Sequence, residues 1–145
     1  MSQRPILIAY DGSDFAKAAI EQAAVQLKNG RRAIVLTVWQ LYSGGFAAAV
    51  GVVPGGMRAE VERDARRVAE EGAKLAEEAG FDAEPVIETG DSVWRRIVDS
   101  ADERDADIVV MGSHGRTGLS HLVMGSVAER VASHTHRPVL IAHAE

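Results

Sequence analysis

Hydrophobic residues along this chain form short continuous runs, which are separated by longer stretches with helical spacing. Near-continuous apolar runs of strand length are typical of parallel strands that are covered on both faces. One segment, 84–88, is strand-like, but its proline and flanking glutamates predict a position at an edge of the sheet. The pattern predicts five strands, over residues 6–10, 33–39, 84–88, 107–111 and 138–143.

Four helices are predicted between these strands, because apolar residues recur there at every third or fourth position. The first covers about 13–28, with Ser13 or Asp14 as its N-cap and Asn29-Gly30 as a left-handed stop. The second covers about 57–79 and ends at Gly80. The third follows Asp91 as a candidate N-cap, and the fourth ends near His134.

Each helix is expected to bury one face against the sheet. The stripe expected in the second helix is formed by Val61, Ala65, Val68, Gly72, Leu75 and Ala79. The face expected in the third helix is formed by Val93, Trp94, Ile97, Val98 and Ala101.

The alternation of strands and helices predicts a single α/β domain over residues 1–145. A βαβ succession of this kind gives a doubly wound parallel sheet with helices on both faces. The length suits one core, and the chain shows neither an internal repeat nor a change of composition that would mark a boundary. Spacing along the chain does not reveal the order of the strands.

A glycine-rich segment between the fourth strand and the fourth helix carries the candidate chemistry. Glycines let the main chain approach an anion closely, and a helix N-terminus offers N–H groups and the positive end of a dipole. The segment contains neither a Walker A motif nor a GxGxxG fingerprint. Its spacing is Gly-x2-Gly-x9-Gly-Ser, formed by Gly112, Gly115, Gly125 and Ser126. The arrangement predicts a phosphate-binding loop.

Each residue of this site also has a structural explanation. Gly125-Ser126 could be an ordinary N-cap, and the two earlier glycines could be turn residues. Arg116 is a candidate for a charge-assisted phosphate contact, or it is a solvated loop arginine. Asp11 ends the first strand. A carboxylate would repel a triphosphate, so Asp11 is expected to bond ribose hydroxyls or the base, or else to cap the first helix beside Ser13.

The glycine spacing resembles the ATP-binding signature of the universal stress protein family. The opening run that ends in Tyr10-Asp11 and the closing run from Arg137 to Ile141 are also similar to that family's first and last strands. The resemblance implies a Rossmann-like fold of the adenine nucleotide alpha hydrolase type, with strand order 3-2-1-4-5. It also implies ATP binding, with magnesium or manganese as the accompanying cation.

The resemblance further assigns nucleotide contacts to particular positions. It implies a nucleoside contact at Asp11, a backbone contact with adenine at Val38, and nucleotide contacts at Met111 and Val127. Tyr10 and Trp39 are bulkier than the residues that many members carry there, so the packing of adenine is expected to differ. The resemblance implies a homodimer, and the apolar edge strand 139–142 independently predicts one.

Composition limits the other classes of function. A net charge of −5 argues against a general nucleic-acid binder. The absence of cysteine is typical of a cytoplasmic protein, and no signal segment or membrane insertion is predicted. The long segment 40–56 contains several glycines and large apolar residues, so it is expected to be a flexible flap, a partner surface or disordered.

The sequence favours a regulatory nucleotide-binding protein over an enzyme. Phosphoryl transfer needs a base or water-orienting group and cationic stabilisation, yet the loop has no Walker lysine and its nearest acid is Glu129 in the next helix. The alternative is a slow ATP hydrolase or phosphotransferase at the same site. No catalytic residue and no protein metal site are predicted, since His134 and His136 point to different helix faces. The regulatory partner is not identified by the sequence.

Overall fold

A computed structural model describes residues 4–40, 55–115 and 124–143 of the chain. Residues 41–54 of the predicted flap at 40–56 lie outside the described residues, and so does Arg116 of the glycine loop. The elements are β1 (Ile6–Ala9), α1 (Asp14–Gln26), β2 (Arg32–Trp39), α2 (Gly55–Glu78), β3 (Asp82–Thr89), α3 (Val93–Glu103), β4 (Ile108–Gly112), α4 (Ser126–His134) and β5 (Val139–Ala142). Helix α2 therefore begins at Gly55, inside the segment that was predicted as a loop.

The described strands form one five-stranded parallel sheet in the order β3-β2-β1-β4-β5. This confirms the order 3-2-1-4-5, and it confirms that β3 lies at an edge. Strand β1 is central, with Ile8 opposite Val35 of β2 and Val110 of β4. All four connections run between parallel strands, as the doubly wound prediction requires.

Helices cover both faces of the sheet, and each face has its own hydrophobic core. On one face α1 and α2 pack alanines and Ile20 against Ile6, Ile8 and Val35. On the other face α3 and α4 pack Ile97 and Val131, among others, against the opposite side of the same strands. Small alanines let the helices approach the sheet closely, which suits a core that is poor in aromatic residues.

The prediction of the buried stripe of α2 was partly wrong. Ala65 and Gly72 are buried, but Val61, Val68, Leu75 and Ala79 are only half-buried. The most buried α2 residues are instead Ala69, Ala73 and Ala76, together with the two correct positions. The reason is the close approach at Gly72, where a β carbon would lie 2.6 Å from the Tyr10 ring. The smallest side chains therefore face the sheet, and the larger ones lie beside it.

The predicted N-cap of α1 and the predicted end of α2 were correct, whereas the predicted N-cap of α3 was wrong. Ser13 caps α1, since its Oγ accepts the Ala16 N–H at 3.1 Å. Gly80 ends α2 with φ of +110°, as predicted. The N-cap of α3 is Ser92 and not Asp91, because the helix begins one residue later than a cap at Asp91 would require.

Two further expectations about helices need correction. Helix α1 ends at Gln26 with an extended C-cap at Leu27, so Gly30, at φ of +81°, belongs to the turn before β2 and does not stop the helix. In α3, Val93 and Trp94 are only half-buried, while Ser100 is fully buried. Across the described ranges, no helix has the length and hydropathy of a membrane span.

Candidate functional site

The connections that leave β1 and β4 run toward opposite edges of the sheet. The candidate residues lie at the carboxyl ends of these two strands. After β1 the chain continues through α1 to β2 on one side, and after β4 it continues through α4 to β5 on the other. In open α/β sheets the crevice at such a switch point is where ligands bind. Asp11 follows β1, and Gly112 is the last residue of β4.

A tight turn positions the Asp11 carboxylate. Gly12 has φ of +84°, a conformation that L side chains rarely adopt, and this lets the chain reverse directly into α1. The Oδ1 atom of Asp11 accepts the Ser13 N–H at 2.9 Å. This bond fixes the turn that leads into α1, where Ser13 is the N-cap. A carboxylate has about four lone-pair positions, so it can accept several hydrogen bonds at once.

Two glycines of the loop after β4 lie where a side chain would collide with neighbours. At Gly112 a β carbon would be 2.6 Å from Phe15 Cβ and 2.7 Å from the Phe15 carbonyl carbon, so the first turn of α1 rests on this glycine. At Gly115 a β carbon would be 2.7 Å from Asp11 Oδ2. The missing side chain at Gly115 thus brings the loop main chain against the carboxylate that follows β1.

Gly125 closes the glycine loop. Its N–H donates to the Ser113 carbonyl at 2.7 Å, and a β carbon there would be 2.7 Å from the same oxygen. Ser113 N–H in turn donates to Ala142 O of β5 at 2.8 Å, which ties the loop to the sheet. The start of α4 is therefore held beside the end of β4, although 13 positions of sequence spacing separate Gly112 from Gly125.

The N-terminus of α4 presents its first-turn N–H groups at this closed loop. The N-cap is Gly125, with extended φ and ψ of −66° and 158° and no side-chain cap. Ser126 is the first helical residue and is exposed, so it is not the N-cap. The first N–H groups of a helix lack intrahelical partners and carry the positive end of the dipole. This geometry suits an anion.

A cavity of about 470 Å³ opens beside Asp11, between the end of β2 and the first half of α2. Its lining includes Asp11 and Val38, two of the predicted residues. The remaining walls are Thr37, Trp39, Val61, Asp64, Ala65, Arg67 and Val68. Its volume lies within the range of small-molecule sites, about 300–1,000 Å³.

Two groups of predicted residues therefore meet at Asp11. Val38 lines the cavity together with Asp11, and Gly115 of the glycine loop lies against the Asp11 carboxylate on its other side. Met111 is only 5% exposed, and its side chain lies in the core beneath α3 and α4. Val127 is half-buried against that core. A ligand would meet Met111 through the main chain and not through its side chain.

The α2 wall of the cavity was missed by the sequence analysis. Val61, Ala65 and Val68 belong to the predicted apolar stripe, but the sequence does not say that this half of the stripe borders a cavity. Trp39 was noted only for its size. It lines the cavity, with the Arg58 guanidinium 5.9 Å from its ring, whereas Tyr10 is buried in the core and bonds Glu71.

The described residues contain no group of three histidine, cysteine, aspartate or glutamate side chains that could hold a metal ion. Within the described ranges, a cation at this site would need ligands that do not come from such a cluster of side chains. Polyphosphate oxygens are such ligands for magnesium, which keeps several waters and is held by only one or two carboxylates.

Comparisons with known proteins agree with this architecture. Universal stress protein MJ0531 of Methanocaldococcus jannaschii is 30% identical over 142 residues, which cover 95% of this chain and 81% of that protein. The solved structure of MJ0577, from the same organism, matches with a TM-score of 0.82 at 26% identity and covers 100% of this chain and 99% of that one.

A universal stress protein from Archaeoglobus fulgidus, solved in complex with dAMP, has the same fold. It matches with a TM-score of 0.63 at 23% identity and covers 98% of this chain and 99% of that one. The sequence model of the Universal stress protein family matches residues 3–143. The match spans every described strand and helix, and this chain belongs to the universal stress protein family.

Proposed function

We propose that this protein binds an adenine nucleotide, ATP together with magnesium or manganese, and acts as a nucleotide-dependent regulatory protein. The observation that carries the proposal is the position of Asp11. Its carboxylate borders the cavity on one side and the Gly115 main chain on the other. A nucleotide also has two ends, a flat base and a chain of phosphates, and the ribose joins them. The cavity would hold the base, the glycine loop would hold the phosphates, and Asp11 lies between, where the ribose would be.

The cavity accepts the nucleoside. Val38 offers main-chain groups at the end of β2, and Val61 and Val68 give the apolar walls that a purine needs. In this proposal the Asp11 carboxylate accepts hydrogen bonds from the ribose hydroxyls. Trp39 also lines the cavity, and its bulk is expected to alter how adenine packs.

The glycine loop accepts the phosphates. Gly112, Gly115 and Gly125 keep side chains away from the main chain, and the Ser126 and Val127 N–H groups lie in the first turn of α4. The Ser126 hydroxyl is exposed at this helix start, and we assign it to the phosphates as well. Arg116 supplies a charge-assisted contact in this proposal. The cation is held by phosphate oxygens and water.

The relative from Archaeoglobus fulgidus supports the class of ligand, because a protein of this fold holds dAMP. The first-turn N–H groups of α4 and the positive end of its dipole favour the more highly charged nucleotide. Tighter binding of ATP than of AMP is the expected consequence.

Titration calorimetry with ATP, ADP and AMP in magnesium tests the proposal. The variant Asp11→Asn keeps the acceptor for the Ser13 N–H but loses an acceptor for the ribose, so a loss of affinity of about tenfold or more is expected. Asp14→Asn is the matched control, because it removes an exposed carboxylate from the first turn of the same helix. Equal affinities of Asp11→Asn and the parent protein would overturn the assigned site.

Phosphate release measured on the same protein separates regulation from catalysis. A regulatory protein should bind ATP and leave most of it intact over many binding lifetimes. Phosphate release through many turnovers, abolished by changing one polar residue of the loop, would instead establish the hydrolase alternative.

We also propose a homodimer through β5. This strand is the edge of the sheet opposite β3, and Val139, Leu140 and Ile141 are only half-buried there. The carbonyls of Pro138 and Ala142 face β4, so by the two-residue period of a strand the main-chain groups of Val139 and Ile141 face outward.

Sedimentation velocity tests this dimer. Ile141→Pro removes an outward N–H and should give a monomer, whereas Ile141→Val keeps the N–H and should remain a dimer. A monomeric parent protein would contradict the proposal.

A further inference from the structure

An aromatic side chain surrounded by cations lies on the outer surface of α3 and α4. The Trp94 indole is half-buried between the two helices. The Arg95 and Arg130 guanidinium carbons lie 5.0 Å and 6.0 Å from its ring centroid. The His134 ring lies 4.4 Å away and is tilted by 36°. These four residues, Trp94, Arg95, Arg130 and His134, are called the Trp94 surface below.

The two arginines of the Trp94 surface differ from their neighbour Arg96. Arg96 bonds Glu88 and Glu103, and these carboxylates raise its pKa above the ordinary value, chiefly through the hydrogen bond with Glu103. In the described part of the chain, neither Arg95 nor Arg130 forms an ion pair with a carboxylate. Both side chains are exposed. Their charge is therefore available to another molecule.

The stacking geometry prepares these cations for recognition. A guanidinium that lies over a ring keeps its N–H edge free, and that edge matches a carboxylate with two parallel hydrogen bonds. His134 is held as well, because its Nδ1 donates to the Arg130 carbonyl at 2.8 Å. Contact with the indole limits the motion of the side chains before a partner arrives, so less entropy is lost on binding.

We propose that the Trp94 surface docks an acidic segment of a partner protein, with carboxylates on Arg95 and Arg130 and an apolar side chain over the indole. Charge complementarity selects this partner. The chain as a whole has a net charge of −5, yet this surface carries two guanidinium groups that form no ion pair with the residues that the structure describes. Tryptophan and arginine are also the residues that most often dominate the energy of protein interfaces.

A nucleic acid is a poorer match to the same features. Binding to a phosphate backbone requires an extended basic surface, and its strength follows the number of phosphates that are neutralised. Two arginines on an otherwise acidic protein neutralise few of them. An acidic peptide needs only two well-placed carboxylates and one apolar contact.

Nitrogen–proton NMR of the tryptophan side chains tests the proposal. The chain has two tryptophans, so the indole signal of Trp94 can be followed while Trp39, 9% exposed on the opposite face of the sheet, serves as an internal reference. The probe is a short synthetic peptide of alternating glutamate and leucine, and a lysine–leucine peptide is its control. The glutamate peptide should shift the Trp94 signal with a dissociation constant below about 1 mM.

Charge reversal then identifies the residues that bind the peptide. The double variant Arg95→Glu/Arg130→Glu should weaken the glutamate peptide by roughly tenfold or more. The matched control is Arg63→Glu/Lys74→Glu, which changes the net charge equally on the exposed side of α2, across the sheet. It should bind as the parent protein does. Thermal unfolding of both variants checks that the fold is retained.

Four outcomes would overturn the proposal. The Trp94 signal could stay unchanged with the glutamate peptide, or the α2 control could lose as much affinity as the α3–α4 variant. A single-stranded oligonucleotide could bind the Trp94 surface more tightly than the peptide does. Finally, the charge reversal could dissolve a dimer of the parent protein, which would show that a second copy covers this surface.

Discussion

The two ends of the central strands β1 and β4 are built in opposite ways. At the carboxyl end, Gly12, Gly112 and Gly115 remove side chains, so that main chain and carboxylate come close beside an open cavity. At the amino end, arginines and aspartates from segments far apart in sequence bond one another. One end leaves room for a ligand, and the other ties the chain together.

The amino end is held by a network of ion pairs. Arg31 bonds Asp107 at 2.8 Å and the Arg4 carbonyl at 3.0 Å, and Arg4 bonds Asp107 at 3.0 Å. Asp105 accepts from both Arg4 and Arg137, although its φ of +51° is one that glycine would adopt more easily. Its two ion pairs give a reason for an aspartate at this position.

This contrast separates binding from stability. Changes at the carboxyl end should alter nucleotide affinity, except where a glycine contacts neighbouring backbone. Changes at the amino end should alter the free energy of unfolding and leave affinity as it was.

The largest effect is expected at Gly115. In Gly115→Val the new side chain meets Asp11 Oδ2, a movable atom, so the fold should persist while the carboxylate is displaced from the cavity. ATP affinity should fall about 100-fold, or roughly 2.7 kcal/mol, in titration calorimetry. Far-UV dichroism should match that of the parent protein. If Gly115→Val bound ATP as tightly as the parent protein, the nucleotide site would not lie at the carboxyl end of the strands.

Gly112→Ala should instead destabilise the fold. Its β carbon would meet the backbone of Phe15, which cannot move without shifting α1, so the free energy of unfolding should fall by about 2 kcal/mol. Urea denaturation measures this. Gly90→Ala is the control, since its β carbon would meet only the Arg96 side chain, at 3.3 Å. Equal stability of the two variants would show that Gly112 is not a packing residue.

Arg31→Met should cost about 1 kcal/mol of stability, because Asp107 and the Arg4 carbonyl lose their donor. Arg32→Met removes an exposed pair with Glu84 at 3.9 Å and should change stability by less than about 0.5 kcal/mol. Chemical denaturation of both variants gives the comparison. ATP affinity should be the same in both variants. A loss of affinity confined to Arg31→Met would show that the amino end of the sheet also affects binding.

The last expected effect is the pH dependence that comes from Asp107. The hydrogen bond from Arg31 holds the pKa of this carboxyl below its usual value. The charged form is therefore favoured by folding. Its contribution is complete above the unfolded pKa of about 3.9 and is lost as pH falls through the lower folded value.

Urea midpoints of Asp107→Asn between neutral and acidic pH test this sign. The variant should be less stable than the parent at pH 7 by under about 1 kcal/mol, since the side chain is 42% exposed. The difference should shrink as the solution becomes acidic. A constant difference at every pH would assign the effect to packing and not to charge.

The glycine spacing and the residues that follow β1 predict a ligand site at the carboxyl ends of the strands. Parallel strands bring their carboxyl ends to one edge of the sheet, but Asp11 and Gly115 are neighbours because β1 also lies beside β4, an order that the family resemblance implied and the spacing did not reveal. The α2 side of the cavity was not predictable in this way. Helical periodicity marks Val61 and Val68 as inward-facing, but the distance between helix and sheet depends on the contact of Gly72 with Tyr10.

Local patterns along the chain were sufficient for the strands, the edge position of β3 and the Ser13 cap, because each depends on residues that are close in sequence. The network of Arg31, Asp107 and Arg137 and the Trp94 surface required the folded chain. Their members lie tens of residues apart, and a charged or aromatic side chain gives no sign in the sequence of which distant partner it will meet. Backbone preference is local, whereas ion pairing and stacking follow from packing.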